Sequence, residues 1–285
     1  MTRDCDLDEH AALSRRPIDA GAVQALLALD SRWRVSVVSH TGSTNTDLAA
    51  AAARGERDGN MVDGAVLIAE EQVAGKGRLG RTWTAPAGSS ITMSMLVLLP
   101  YVPMAARGWA GVVAGIAAVR VCRELGGVSA SLKWPNDLLV TDAEGAERKC
   151  AGILGEMAGS AVVIGLGLNV SLLKAELPRP DATSLLLAGS SSLDRAELAA
   201  AVLTEIDSLL RRWEGANGDV AQIRAEYLTL CATIGAGVRV ELPSGATVLG
   251  VATNIALDGS LVVRSDSGEL CTFTAADVLH LRPAS

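Results

Sequence analysis

The spacing of apolar residues changes its period several times along the chain, and each change predicts an element. The first 33 residues are polar, then weakly helical over Gly21 to Leu29. Runs dense in Val, Ile and Leu follow at Arg34 to His40, Ala65 to Ala69 and Ile91 to Leu99, and predict strands. Between the first two, Ala-rich Thr46 to Arg54 predicts a helix, opened by a polar cap at Thr44 or Asn45. Met104 to Leu125 carries the strongest helical period, and Gly126-Gly127 end it. Short strand patterns then occupy Ser131 to Trp134, Asp137 to Val140, Cys150 to Met157 and Ala161 to Val170. Asp142 to Ala146 is composed like a hairpin turn. Helical spacing returns from about Asp194 to Trp213 and from about Asp219 to Cys231.

From Gly235 the texture changes. Five strand patterns, Val238 to Leu242, Val248 to Ala256, Leu261 to Arg264, Leu270 to Phe273 and Val278 to Leu281, are packed into fewer than fifty residues. Turns at Pro243-Ser244-Gly245, Asp258-Gly259 and Asp266-Ser267-Gly268 separate four of the five. This predicts a small β-barrel over 233–285. Strands and helices in 1–232 do not alternate regularly, so the fold class is α+β rather than a doubly wound sheet.

Composition excludes several functions. A chain of 285 residues that is 49% apolar and 20% charged is not disordered. Its net charge of −7 disfavours non-specific binding to nucleic acid. Five Cys (5, 122, 150, 231 and 271) form no CxxC pair, and the three His (10, 40 and 280) lie far apart, so neither a disulfide framework nor a zinc site is expected. The longest apolar stretch, Trp109 to Cys122, is diluted by Ala and Gly, contains Arg120 and is too short to span a bilayer. Met1 to Ala20 is acidic and has no apolar signal core. These features predict a cytoplasmic protein with reduced thiols and no membrane partner. Of the 25 cations only four are Lys, at positions 76, 133, 149 and 174.

Three of those Lys lie in segments with chemistry. Gly75-Lys76-Gly77-Arg78-Leu79-Gly80-Arg81-Thr82-Trp83 contains GxGxxG, yet no helical period follows it. A dinucleotide-binding loop must open a helix, so that reading fails. The segment instead predicts a mobile loop that closes on an anion. Its three Gly let backbone approach a ligand, and Lys76, Arg78 and Arg81 supply charge with no acid among them. A merely solvated basic loop would not need Gly at three positions. Lys133, between Leu132 and Trp134, falls in a strand expected to be largely buried, where an ammonium needs an anion, either an internal carboxylate or a ligand. Gly165-Leu166-Gly167-Leu168-Asn169 permits close backbone approach and supplies an amide. Gly42-Ser43-Thr44-Asn45 offers hydroxyls and an amide, or simply a helix cap. There is no P-loop and no GxSxG nucleophile elbow.

Taken in order, these segments resemble the biotin protein ligases. The glycine-rich loop of that family matches Gly75 to Trp83, its KWPND element matches Lys133 to Asp137, and its KxAGIL-type strand matches Lys149 to Leu154. GxGxN matches Gly165 to Asn169, and STN matches Ser43 to Asn45. The resemblance implies a mixed-sheet catalytic domain of the biotin/lipoate ligase type followed by an SH3-like barrel. It implies ATP-dependent biotinylation of a lysine on a biotin carboxyl carrier domain, through biotinyl-5′-AMP, with Mg²⁺ accompanying ATP. An acetyl-CoA or acyl-CoA carboxylase subunit is the implied partner. Ser43, Thr44, Asn45 and Gln72 would then contact the ureido head and pocket wall of biotin. Lys76, Gly77 and Arg78 would fold over the ligand. Arg78, Arg81 and Lys133 would face the biotin carboxylate and the phosphates, with Lys133 and Arg78 catalytic. Trp83 and Asn169 would flank the adenine, although Trp83 also suits plain packing. Lys76 departs from the family's usual Arg: the charge is kept and the bidentate fork is lost. Some relatives carry an N-terminal DNA-binding arm. The 33 residues ahead of the first strand hold four Arg against six acids, so no DNA partner is expected. A lipoate ligase, with related logic, is the nearest alternative.

Overall fold

The computed structural model describes residues 2–59, 63–242, 245–274 and 276–281. Two sheets organise the chain. The larger has seven strands: β1 (Arg34–Thr41), β2 (Ala65–Gln72), β3 (Ser90–Leu98), β4 (Ala130–Lys133), β5 (Asp137–Thr141), β6 (Glu147–Ala158) and β7 (Ala161–Asn169). Their spatial order is β1-β2-β3-β7-β6-β5-β4. Only β1 and β2 run parallel, joined across helix α3 (Thr44–Asp58); every other neighbour is antiparallel. The sheet is therefore mixed, as the irregular element order predicts.

β3 is buried along eight of its nine residues and β7 along all nine. β7 reads as an apolar run up to Asn169 because both sheet faces are covered, whereas β3 interleaves Ser90, Thr92 and Ser94 with its apolar residues. On one face, Leu48 and Ala52 of α3 pack on Leu96, Ala161 and Val163. The other face carries the main core, with helices α4 (Trp109–Glu124) and α5 (Arg195–Gly215). Eleven residues of α4, mostly Ala and Val, are buried there. Helix α6 (Ala221–Leu230) leads to the second sheet.

Three expectations need correction. The single helix over 104–125 is two pieces, a short 3₁₀ turn at Met104–Ala106 and then α4. Arg107 causes the break by donating to Leu99 O, Val102 O and Ser160 O, which pins the backbone at the junction. The predicted helix over 21–29 is Ala20–Leu26 (α2), capped by Asp19, whose carboxylate accepts from Gly21 N and Ala22 N. Ahead of it lies an unanticipated helix α1 (Thr2–Ser14). Arg15 fastens its end by a bidentate pair with Glu176 and a bond to Ser171 O.

The second sheet is antiparallel, in the order β11-β10-β9-β8-β12. Its strands are β8 (Gly237–Glu241), β9 (Thr247–Ile255), β10 (Leu261–Ser265), β11 (Leu270–Phe273) and β12 (Asp277–His280). Val238, Val240, Ala252, Leu261, Val263 and Val278 point into its core. Pro243 and Ser244 of the first expected turn lie outside the described residues. Among the described residues no helix is long and apolar enough to cross a membrane.

Candidate active site

A cavity of about 500 Å³ opens on the α3 face of the large sheet. Its floor is three adjacent strands, with Thr92 of β3, Gly165 and Gly167 of β7, and Gly152 and Leu154 of β6. Bare glycine is required at two of these positions. A Cβ on Gly165 would stand 2.3 Å from Asn45 Oδ1, and one on Gly167 would stand 2.4 Å from the Trp83 ring.

The start of α3 forms one wall. Its N-cap is Ser43, which accepts from Thr46 N, rather than the expected Thr44 or Asn45, which already lie in the first turn; all three are buried. Polar groups at a helix start are there partly because the first N–H groups need partners. Gln72, at the end of β2, accepts from Thr44 N (2.8 Å) and lies 3.0 Å from Thr44 Oγ1. Ser94 Oγ sits between Thr44 Oγ1 and Asn45 Oδ1 at 2.7 and 2.6 Å.

The glycine-rich segment forms the roof. Gly77 N donates to Arg81 O and Trp83 N donates to Gly75 O, closing a tight hairpin. Leu79 and Gly80 turn its tip through left-handed φ of 55° and 72°. Trp83 comes to rest on the glycine floor, with Lys149 Nζ 5.9 Å from its ring centroid. Its Nε1 is buried without a partner. Arg81 forms an ion pair with Asp277, on β12 of the second sheet.

The third wall is the turn between β4 and β5. Lys133 and Asp137 face each other across it, with a cis Trp134–Pro135 bond between. Lys133 is half-buried rather than enclosed, which corrects the expectation of a largely buried residue: it is the last residue of β4 and lines the cavity. Burial holds its ammonium below the ordinary lysine pKa, with Asp137 and Asp181 opposing. Burial likewise lowers Arg78, whose guanidinium reaches Asn136 Oδ1 at 3.5 Å.

All eleven residues singled out in the sequence line this one cavity: Ser43, Thr44, Asn45, Gln72, Lys76, Gly77, Arg78, Arg81, Trp83, Lys133 and Asn169. Asn169 is 2% exposed and spends its amide on Thr183 O (2.9 Å), so it also holds the neighbouring segment in place. Sequence reasoning missed Ser94, Glu156, Asp277 and the role of Lys149, which lines the cavity and pairs with Asp137 at 2.5 Å. The scarcity of Lys was the signal available for Lys149.

Charge is arranged unevenly. The four lining carboxylates are all paired: Asp137 with Lys149, Asp181 with Arg179, Asp277 with Arg81 and Glu241 with Arg239. Among the described residues, Lys76, Arg78 and Lys133 are the lining cations left without a carboxylate partner. An acidic chain thus keeps three uncompensated cations around one cavity, which suits a polyanionic ligand.

Residues 39–169 match the Biotin/lipoate A/B protein ligase family, and residues 233–281 match the Biotin protein ligase C terminal domain. A biotin–[acetyl-CoA-carboxylase] ligase of Mycobacterium tuberculosis is 42% identical over 273 residues, covering 94% of this chain and 97% of that one. The chain belongs to the biotin protein ligases. The bifunctional ligase/repressor BirA of Escherichia coli is a more distant member, 36% identical over 68% of this chain and 58% of its own length. Among solved structures, the Aquifex aeolicus biotin protein ligase in complex with biotin and ATP aligns over 87% of this chain and 99% of its own. Its TM-score is 0.69 at 20% identity, so the ligase fold is shared where sequence has largely diverged.

Proposed function

We propose that this ligase activates biotin with ATP in the cavity beneath the glycine-rich loop, then transfers it to a carrier lysine. The observation that carries the assignment of roles is the trio of uncompensated cations, Lys76, Arg78 and Lys133, sharing one cavity with the polar wall of Ser43, Thr44, Asn45 and Gln72. The wall suits a ureido group, and the cations suit a carboxylate meeting a triphosphate.

In the first step a biotin carboxylate oxygen bonds to the α-phosphorus of ATP and pyrophosphate leaves. Both reactants are anions and repel each other. Lys133 and Arg78 offset that repulsion and stabilise the charge that grows in the transition state. Their partial burial strengthens the effect, since less water screens them. Mg²⁺ would enter on the phosphates. Every carboxylate lining the cavity already has a cation, and no group of three or more His, Cys, Asp or Glu among the described residues is arranged to hold a metal. Asp137 and Asp181 are the acids of the large domain that line the cavity and could meet the ion from the protein side. A phosphate-held Mg²⁺ needs only one or two such groups.

The mixed anhydride formed is water-sensitive. The roof hairpin, with Trp83 on the floor, shields it. In the second step a lysine amine bonds to the activated carbonyl, AMP departs, and the amine gives up a proton. Trp83 and Asn169 are assigned to the adenosine side. Residues 1–232 form the catalytic unit and 233–285 the SH3-like unit that closes its mouth. The acceptor is a carrier domain of acetyl-CoA or acyl-CoA carboxylase, and the compartment is the cytoplasm. Labelling of a carrier-domain lysine that requires both biotin and ATP, and resists excess lipoate, is the expected result. Transfer of lipoate in preference to biotin would overturn the assignment.

A further inference from the structure

Glu156 lies outside every motif noted above, yet it bonds to the polar wall. Asn45 Nδ2 donates to Glu156 Oε2 at 2.6 Å and to Leu154 O at 3.2 Å. An amide turned by 180° has the same shape, so its partners decide which atom points where. Here the turned amide would press Oδ1 against a carboxylate and a carbonyl. The β6 strand therefore locks Nδ2 toward itself and Oδ1 toward Ser94.

That lock sets the direction of the hydrogen bonds beyond it. The line Asn45 Oδ1, Ser94 Oγ, Thr44 Oγ1, Gln72 Oε1 has three oxygen–oxygen gaps of 2.6, 2.7 and 3.0 Å. Both ends are acceptors, and each hydroxyl owns one proton. Two protons cannot fill three gaps. Thr44 Oγ1 donates to Gln72 Oε1, and Ser94 Oγ has two acceptors within reach but one proton, so with that proton drawn to Asn45 the gap between Ser94 and Thr44 stays empty. The wall thus carries one acceptor too many, at Thr44 Oγ1, which lines the cavity. We propose that Glu156 is a positioning residue that, through Asn45 and Ser94, keeps Thr44 Oγ1 as an acceptor for an N–H of the ligand. This rests on the biotin reading, in which that N–H belongs to the ureido ring. If Asn45 turned, its Nδ2 would donate to Ser94, every gap would fill, and the welcome for an N–H donor would vanish.

Glu156→Gln tests this, because a glutamine can present either end of its own amide and so releases the lock. The expected result is a rise of about tenfold in KM for biotin, the size of one neutral hydrogen bond. The kcat, the KM for ATP and the thermal midpoint should stay near wild type. Glu156→Asp, which keeps the carboxylate, should recover part of the loss. In a Ser94→Ala background, where the line is cut, Glu156→Gln should add almost nothing. Additive losses in both backgrounds, or equal rises in KM for biotin and ATP, would reduce Glu156 to a structural contact and overturn the proposal. Failure of the wild-type protein to use biotin would instead overturn the functional reading itself.

Discussion

Gly167→Ala is the sharpest test of how the roof closes. Gly167 and Gly152 are cross-strand partners on β7 and β6, and the Trp83 ring lies over both. A Cβ on Gly167 would stand 2.4, 2.6 and 2.7 Å from three atoms of that ring. Relaxed carbon contacts are about 3.5–4.0 Å, so something must withdraw by about 1 Å. The strand cannot: all nine residues of β7 are buried and paired with β3 on one side and β6 on the other. The hairpin can, since Trp83 is half-buried and its flanks are exposed. The strain therefore falls on closure rather than on folding. Overpacking costs about 1–3 kcal/mol, a factor of about 5 to 150 in the closed population. The expected variant keeps its thermal midpoint within about 2 °C, raises KM for ATP at least about fivefold, and releases free biotinyl-AMP. Thermal denaturation, pyrophosphate exchange and chromatography of the released adenylate measure these. With Trp83→Ala in place the same glycine change should be almost silent. A defect of undiminished size without the indole would refute the clash, and a large fall in thermal midpoint would put the strain in the sheet.

Lys133→Ala should slow biotin-dependent pyrophosphate exchange by about 10²–10³-fold, the usual loss for a key electrostatic donor; near-normal exchange would remove Lys133 from the chemistry. Asp277→Ala breaks a pair whose side chains are 51% and 37% exposed, so stability should change by no more than about 1 kcal/mol. Escape of biotinyl-AMP should nevertheless increase several-fold, and unchanged retention would show that Arg81 does not tether the hairpin. Burial, reinforced by Lys133 and opposed by Glu147, holds His280 below its ordinary pKa of 6.5. The unfolded chain binds that proton more readily, so the contribution of His280 to stability is full above pH 6.5 and is lost as pH falls through the folded-state pKa. His280→Gln should flatten that part of the stability profile between about pH 7.5 and 5, and parallel profiles for the two proteins would contradict the assignment.

Much of the framework was legible because its physics is local. β7 appears as an apolar run, β3 as a segment rich in Ile, Met, Leu and Val, and the start of α3 as a polar cluster whose cap, Ser43, lies one residue ahead of the expected Thr44 or Asn45. The scarcity of Lys was also informative. In a chain that uses Arg for nearly every cation, Lys76, Lys133 and Lys149 survive, and all three line the cavity. What stayed hidden depends on partners far along the chain. Helix α1 lacks an apolar stripe and is fastened through Arg15 to Glu176, 161 residues away. Asp277 meets Arg81 across 196 residues, and Glu156 meets Asn45 across 111. No window of neighbouring residues contains either pair. The break at Arg107 was hidden for the same reason, since one of the carbonyls that pin it, Ser160 O, belongs to the β6–β7 turn.

The second domain is attached to the site by two unlike sets of bonds, and the contrast explains how it can serve a loop that must open. On the KWPND side the ties are to backbone and largely buried. Trp109 Nε1 donates to Leu257 O at 2.8 Å and Trp134 Nε1 to Gly259 O at 3.0 Å, so two indoles grip the β9–β10 turn. Thr233 Oγ1 accepts from Trp134 N at 3.0 Å, at the junction where the barrel begins. Each such bond contributes about 1 kcal/mol net, and breaking one would strand a buried donor at greater cost. Trp134 directly follows Lys133, so the same bonds that seat the barrel also fix the turn carrying that lysine. On the loop side the tie is the exposed Arg81–Asp277 pair, which water can replace at little cost. The barrel is thus a fixed wall on one side and a releasable latch on the other. A ligase that must admit biotin and ATP, hold their adenylate, and then admit a carrier lysine needs both: a lysine that does not move and a roof that does.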